Sequence, residues 1–188
     1  MFLLIFSIWL YSCSDNTDSR VNITKPTQFG LSIENGQRQG FQYYDSTNTE
    51  YNYRYNTITI TNDTTVPIQL KIGFSEKDLN KISYSKVFLL PRSLTPNKQQ
   101  FDNSIADGLK RFLDFDTGKQ EHLSKTLKPT EKCVLTFGVL TDIKYSDPTT
   151  PYETKLLTHK EIPSAISCKL KINDTLVIPC GHFRYIEE

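Results

Sequence analysis

Residues 56–74, NTITITNDTTVPIQLKIGF, carry the clearest strand pattern in the chain. Apolar side chains alternate with polar or small ones on both sides of the polar segment 62–65, and a period of two is that of a half-buried strand. Two such strands joined by a polar turn predict an antiparallel hairpin. The side chains predicted to point into the core are Ile58, Ile60, Ile68, Leu70, Ile72 and Phe74.

Further alternating segments lie on both sides of this hairpin. The first covers residues 29–33 and ends at Asn35-Gly36, a pair typical of turns. The others cover residues 82–90, 133–139, 166–172 and 176–185. Several short strands with turns between them, and without alternation of strands and helices, predict an antiparallel β-sandwich.

One segment has the spacing of a helix instead. Ile105, Leu109 and Phe112 lie on one helical face, after the polar residues 102–104 that can cap a helix. The sequence therefore predicts a mainly β domain with a helical insertion at about residues 102–126. Whether a second short helix follows around residues 119–127 stays open at this point.

The first twelve residues, MFLLIFSIWLYS, are uncharged and mostly apolar. This segment is too short to cross a bilayer as a helix, which takes about 20 residues, but it has the length of the apolar region of a secretory signal. Residues 10–13, LYSC, resemble the lipobox of bacterial lipoproteins through Leu10, Ser12 and Cys13.

This resemblance implies a domain organisation and a location. Residues 1–12 would be a cleaved signal peptide, and Cys13 would carry three acyl chains, enough for stable anchoring. Residues 13–27 are rich in Ser, Asn, Asp and Thr, which predicts a flexible tether to a single sandwich domain at residues 28–188. The implied location is the cell envelope, in the outer membrane of a Gram-negative bacterium, with the side of that membrane left open.

A second resemblance concerns the folded part. Residues 57–68, TITITNDTTVPI, resemble the second and third strands of immunoglobulin-like domains in exported bacterial proteins. Residues 127–131, LKPTE, followed by an alternating segment, resemble a later strand entry of the same domains. The resemblance implies an immunoglobulin-like sandwich but no activity, because one fold serves many functions.

The charge balance gives no reason to expect a nucleic-acid partner. The chain holds 22 basic and 21 acidic residues, for a formal net charge of +1. Proteins that bind nucleic acid concentrate basic residues on one face. The expected partners are instead the membrane, through the lipid that the lipobox resemblance implies, and a protein or glycan of the envelope.

Two short motifs suggest chemistry but lack the required residues. Counting from Asp114 as the first position of a calcium-binding EF-hand loop, the sixth and twelfth positions hold Lys119 and Lys125 instead of Gly and Glu. Residues 83–86, SYSK, fit the S-x-x-K pattern of penicillin-binding enzymes, but they lie in a strand pattern and the companion motifs are missing. We expect no catalytic residue, no metal and no cofactor.

Cysteines and histidines near the C-terminus allow two interpretations. Cys168, Cys180, His159 and His182 lack the paired spacing of a zinc site. With a three-residue loop at 173–175, however, burial of all the apolar side chains on one face places Cys168 directly opposite Cys180. Opposed residues lie within disulfide range, so we predict a Cys168–Cys180 bridge, with reduced core thiols as the alternative.

Tyr51, Tyr53 and Tyr55 alternate along one predicted strand. They are out of phase with the isoleucines that follow, so they face away from the core unless a bulge near Asn56 resets the phase. Tyrosine is frequent in binding hot spots, and a row of tyrosines can stack on sugar rings or contact a partner protein. We predict that this row is a binding face, with packing across strands as the alternative.

These patterns predict a membrane-anchored, non-enzymatic envelope protein that binds or scaffolds a partner. One alternative is an immunity or inhibitor lipoprotein, which would expose a single apolar patch. Another is a small hydrolase, which would need a deep pocket with converging titratable groups. The identity of the ligand and the oligomeric state do not follow from the sequence.

Overall fold

The computed structural model describes residues 22–23, 29–80, 82–95, 103–117, 122–146, 154–162, 165–174 and 176–186. The predicted signal peptide and the predicted lipidation site at Cys13 lie outside these residues. Within the predicted tether, Asn22 and Ile23 form a short strand that lies opposite Asn35 and Glu34. The other described elements all lie within the predicted sandwich domain.

Ten strands and two α-helices account for most of the described residues. The strands are β1 (Asn22–Ile23), β2 (Leu31–Tyr44), β3 (Glu50–Asn62), β4 (Ile68–Ile72), β5 (Ser85–Leu89), β6 (Leu123–Leu127), β7 (Lys132–Asp142), β8 (Lys155–Ile162), β9 (Ala165–Lys171) and β10 (Val177–Tyr185). The helices are α1 (Glu76–Leu79) and α2 (Asn103–Phe115), and single 3-10 turns cover Arg92–Leu94 and Ile143–Tyr145. Neither helix is long and apolar enough to cross a membrane.

The strands form two antiparallel sheets. The first sheet has the order β1-β2-β3-β7-β5, and the second has the order β6-β4-β10-β9-β8. This arrangement confirms the predicted mainly β, antiparallel sandwich with short helices. The closer resemblance to immunoglobulin-like domains stays a prediction.

The main core lies between the inward faces of the two sheets. All the inward side chains predicted from residues 56–74 are buried there, and so are the alternating apolar side chains of β7. Removal of this apolar surface from water is the main driving force for the packing of one sheet on the other. The buried side chains of β7 in this core are Cys133, Leu135, Phe137 and Val139.

The predicted hairpin at residues 56–74 is wrong, because β3 and β4 belong to different sheets. The crossing from one sheet to the other is fixed by Asn62, whose Nδ2 donates to the carbonyls of Val66 and Leu127, at 3.0 Å each. The apolar faces of β3 and β4 therefore oppose one another across the core. Alternation along the chain does not distinguish this arrangement from a hairpin, since both bury the same side chains.

Two other local predictions also differ from the structure. Asn35-Gly36 is not a turn, because β2 continues to Tyr44 and a register shift between Asn35 and Arg38 forms a bulge instead. The possible second helix around residues 119–127 is wrong where the structure describes it, since Leu123–Leu127 form the edge strand β6 beside β4.

The C-terminal hairpin of β9 and β10 has the predicted register as far as Ile178, which lies opposite Leu170. A β-bulge then inserts Cys180 into β10, so that Gly181 lies opposite Cys168 in its place. The predicted disulfide is therefore wrong. Cys168 and Cys180 are free thiols, both buried in the core between the sheets.

Candidate functional site

The first sheet has a second apolar layer on its outer face, away from the core. β3 pairs with β7 in continuous register from Tyr51 to Thr61, so no bulge at Asn56 resets its phase. Tyr53 and Tyr55 therefore face outward, as their phase predicts. α2 packs over both side chains, however, and Tyr53 is 0% exposed.

Aromatic rings fill this layer beneath α2. The rings of Tyr53 and Tyr55 stack with centroids 5.6 Å apart, and Phe88 lies parallel to Tyr53 at 6.2 Å. Phe112 of α2 meets Phe88 edge to face at 5.4 Å. Burial raises the pKa of both tyrosines. The predicted binding face is therefore wrong for Tyr53 and Tyr55, because the helix covers them.

One polar cluster joins the C-terminal end of α2 to β2. The carboxylate of Asp114 accepts a hydrogen bond from the hydroxyl of Tyr43 and forms an ion pair with Lys110, with 3.2 Å between Nζ and Oδ2. The hydrogen bonds from Tyr43 and then from Lys110 lower the pKa of Asp114. Burial, followed by the contact with Asp114, raises the pKa of Tyr43. Beyond this cluster the outer face carries half-buried and exposed side chains.

A row of side chains crosses three strands on this uncovered part of the first sheet. Tyr51 of β3, which is half-buried, lies opposite Asp142 of β7. The amide of Asp142 donates to the carbonyl of Tyr84, directly before β5, with a distance of 3.2 Å. Tyr145 lies in the 3-10 turn after β7 and stacks on Tyr84. We call Tyr51, Asp142, Tyr84 and Tyr145 the tyrosine rim.

The stacked pair gives the rim an exposed aromatic surface. The ring centroids of Tyr84 and Tyr145 are 3.8 Å apart, with 22° between the ring planes. Tyr84 is 55% exposed and Tyr145 is 54% exposed. One face of each ring is covered by the other ring, and about half of the surface of each residue stays exposed to a ligand. Sequence patterns did not indicate either residue, because only the pairing of β5 with β7 brings them together.

Charged groups flank the rim. Burial raises the pKa of Tyr51, and the nearby carboxylates of Asp45 and Asp142 raise it further. A hydrogen bond from Thr47 lowers the pKa of Asp45, and the charge of Lys86 adds to the effect. The rim and the groups that flank it therefore combine apolar ring surface with two carboxylates and an ammonium group, which is a composition suited to non-covalent binding.

A scan of family models, a search of curated proteins and a search of solved structures all find no match for this chain.

The cysteines and histidines considered for a zinc site do not converge. Cys168 and Cys180 are buried between the sheets, whereas His182 lies on the outer face of the second sheet, opposite Lys71. His159 is exposed on β8. Within the described ranges, no group of three or more His, Cys, Asp or Glu side chains could hold a metal ion.

Proposed function

We propose that this protein is a lipid-anchored component of the bacterial cell envelope that binds a carbohydrate chain at the tyrosine rim, without catalysing a reaction. The observation that supports this function is the exposed, stacked pair Tyr84 and Tyr145 beside Asp142. Tyr51 extends the aromatic surface along the same row, and Asp45 lies next to it.

The chemistry of the rim suits a sugar. A tyrosine ring offers an apolar face and a polar hydroxyl, which complement the C–H face and the hydroxyl groups of a pyranose. Carboxylates accept hydrogen bonds from hydroxyl groups, and an ammonium group donates them. A protein interface of standard size covers about 800 Å² on each partner, far more than two stacked rings and their neighbours offer.

The proposed location is supported by the N-terminal sequence. Residues 1–12 form an apolar, uncharged leader, and Ser12-Cys13 ends it in the manner of a lipobox. Acylation of Cys13 by more than one chain would hold the protein stably at its membrane. The rim would then face the glycans of the envelope at high local concentration.

Titration of the purified chain with soluble oligosaccharides tests the binding site. A suitable panel contains muropeptides, chito-oligosaccharides and lipopolysaccharide core fragments. For any oligosaccharide that the wild type binds, the double variant Tyr84→Ala/Tyr145→Ala should weaken binding by about tenfold or more, which is ~1.4 kcal/mol. Phe115→Ala is the matched control, because Phe115 is an aromatic residue 68% exposed at the end of α2.

The proposal is wrong if the wild type binds no member of the panel, or if the double variant binds as tightly as the wild type. Capture of a single envelope protein that depends on Tyr84 and Tyr145, without any glycan binding, would favour the inhibitor alternative.

Anchoring is tested separately by labelling with an alkyne fatty acid in a Gram-negative host. The wild type should take up the label, and Cys13→Ala should not.

A further inference from the structure

The outer face of the second sheet is strongly basic. Buried side chains alternate with outward-facing ones along β4, β8, β9 and β10. Five of the outward-facing side chains on these strands are Lys or Arg. We call them the basic face, and its members are Lys71, Lys155, Lys169, Lys171 and Arg184. The whole chain has a formal net charge of +1, so this face is more basic than the chain as a whole.

The acidic groups that the structure describes near this face follow its strands, and Glu76, after β4, lines one cavity with Lys71 and His182. On the five strands of the second sheet, no outward side chain that the structure describes is Asp or Glu. The carboxylate of Asp174, in the turn after β9, lies 2.7 Å from Nζ of Lys171. Near the middle of the face, burial and then the charges of Arg184 and Lys71 lower the pKa of His182, which indicates a positive local potential.

The basic face differs from the outer face of the first sheet in two ways. α2 covers part of the first sheet with apolar side chains, whereas on the second sheet the four-residue helix α1 contacts β10 and buries none of its own residues. Exposed apolar side chains also lie among the basic ones, namely Leu157 and Val177. The face is therefore an open surface that is both cationic and partly apolar.

We propose that the basic face lies on an anionic lipid bilayer. Five neighbouring strands span ~20 Å at the usual spacing, and the basic residues are spread over four of them instead of converging on one point. This distribution fits a broad plane of phosphate groups. Each basic residue near such a surface strengthens binding about fivefold, while apolar side chains between them can enter the headgroup region.

The length of chain before the fold supports this occupant, in a step that rests on the proposed lipid anchor. Asn22 of the edge strand β1 pairs with β2, and β2 lies beside β8 of the second sheet, where the Leu156 amide donates to Asn35 Oδ1 at 3.2 Å. Eight residues lie between Cys13 and Asn22, so Asn22 stays within ~30 Å of the lipid. The basic face is therefore within reach of the membrane surface.

This placement also orients the tyrosine rim. The rim lies on the outer face of the first sheet, and the basic face lies on the outer face of the second sheet, on the other side of the core. When the basic face rests on the bilayer, the rim points away from it. The rim is then open to glycans of the envelope.

The test uses the full chain with Cys13→Ser, which removes the proposed acylation site. Binding is measured at low salt to vesicles of phosphatidylcholine alone and to vesicles with 30 mol% phosphatidylglycerol, as an order-of-magnitude choice of surface charge. Any contribution of the apolar leader is shared by both vesicle types, so the ratio of the two affinities isolates the effect of charge. Salt should reduce this ratio, because exposed charges are screened.

Two triple variants decide the outcome. The first variant removes three charges of the basic face and is Lys71→Gln/Lys169→Gln/Arg184→Gln. It should reduce the ratio of the two vesicle affinities about a hundredfold, because each lost charge weakens binding about fivefold. The control removes three exposed lysines elsewhere and should keep the ratio of the wild type; it is Lys77→Gln/Lys128→Gln/Lys132→Gln. Both variants should melt at the temperature of the parent chain.

Equal effects of the two triple variants, or no preference of the parent chain for anionic vesicles, overturn the proposal. So does tighter binding to a soluble anionic polysaccharide than to anionic vesicles at equal charge concentration. Loss of lipid labelling or of glycan binding would instead count against the proposed function. Neither result bears on this test, because the test chain carries no acylated cysteine and the variants leave the rim unchanged.

Discussion

The hydroxyl of Tyr43 donates a hydrogen bond to the carboxylate of Asp114, and this contact links β2 to the last turn of α2. The amide of Ser46 donates to the same carboxylate at 3.2 Å, and Lys110 forms an ion pair with it. Three donors therefore converge on one ionised group. These contacts attach the last turn of α2 to β2 and to the turn that follows β2.

We expect acid to weaken this contact. The pKa of Asp114 is lowered in the folded state, first by the hydrogen bond from Tyr43. A carboxyl group whose pKa is lower in the folded state than in the unfolded state stabilises the fold at pH values above its unfolded-state pKa. That stabilisation is lost as the pH falls through the folded-state pKa. This loss of stability is therefore expected below about pH 4. Thermal unfolding between neutral pH and the acid limit should show a shallower decline for Asp114→Asn than for the wild type.

The control for this prediction is Asp107→Asn, which changes an exposed aspartate on the same helix. Its stability should follow the wild-type dependence on pH. If Asp114→Asn and the wild type lose stability in parallel as the pH falls, the contact of Asp114 with Tyr43 does not stabilise the fold.

The buried hydroxyl of Tyr53 predicts a stabilising substitution. Within the described part of the chain this hydroxyl has no hydrogen-bond partner, although the residue is 0% exposed. Burial of an unsatisfied polar group costs about 1–3 kcal/mol, so Tyr53→Phe should raise the free energy of unfolding by about 1 kcal/mol. Denaturant unfolding measures the change.

Tyr55→Phe is the matched control, because the hydroxyl of Tyr55 donates to Gln39. Loss of that hydrogen bond should lower the free energy of unfolding by about 1 kcal/mol. Tyr53→Ala, which removes the whole ring, should lower it by about 3–5 kcal/mol. A stability for Tyr53→Phe well below that of the wild type would mean that the hydroxyl is satisfied.

Local alternation predicted which side chains enter the core but not which strands are neighbours. Ile58 and Ile68 are buried as expected, because a period of two fixes the face of each residue within its own strand. Whether β3 and β4 pair in one sheet or oppose one another in two depends on long-range contacts, such as that of Asn62 with Leu127. No pattern within residues 56–74 carries that information.

The candidate sites were less predictable for the same reason. Tyr84 and Tyr145 are far apart in the chain and meet only through the pairing of β5 with β7. The basic face contains no run of Lys or Arg in the sequence, because alternation places each basic residue between buried ones. Its members come from four strands, so its charge becomes evident only when the second sheet is assembled.

The free cysteines give a third prediction. The chain with Cys13→Ala should show three reactive thiols after unfolding without reductant, from Cys133, Cys168 and Cys180. In the native state they should react slowly, because all three are buried and burial raises the pKa of Cys168 to about 12. A count of one thiol after unfolding would mean that Cys168 and Cys180 form a disulfide.

The bulge that separates those two cysteines gives the last prediction. Gly181 has a φ of +134°, a conformation that L side chains rarely adopt, and a Cβ at this position would lie 2.0 Å from the carbonyl oxygen of Lys71. Gly181→Ala should therefore lower the free energy of unfolding by about 2–3 kcal/mol, since both backbone strain and a clash with β4 oppose it. Chemical denaturation of the purified variant checks this value.

Replacing glycine by alanine within a helix should not lower the free energy of unfolding. Gly108 lies within α2, and a Cβ there would approach only the end of the Leu94 side chain, at 3.0 Å, which can move aside. Alanine stabilises a helix interior by about 0.5–1 kcal/mol relative to glycine. Gly108→Ala should thus leave stability unchanged or raise it. If both variants lose stability equally, the requirement for glycine at the bulge is not specific, and the register of β10 after Ile178 must be set by other contacts.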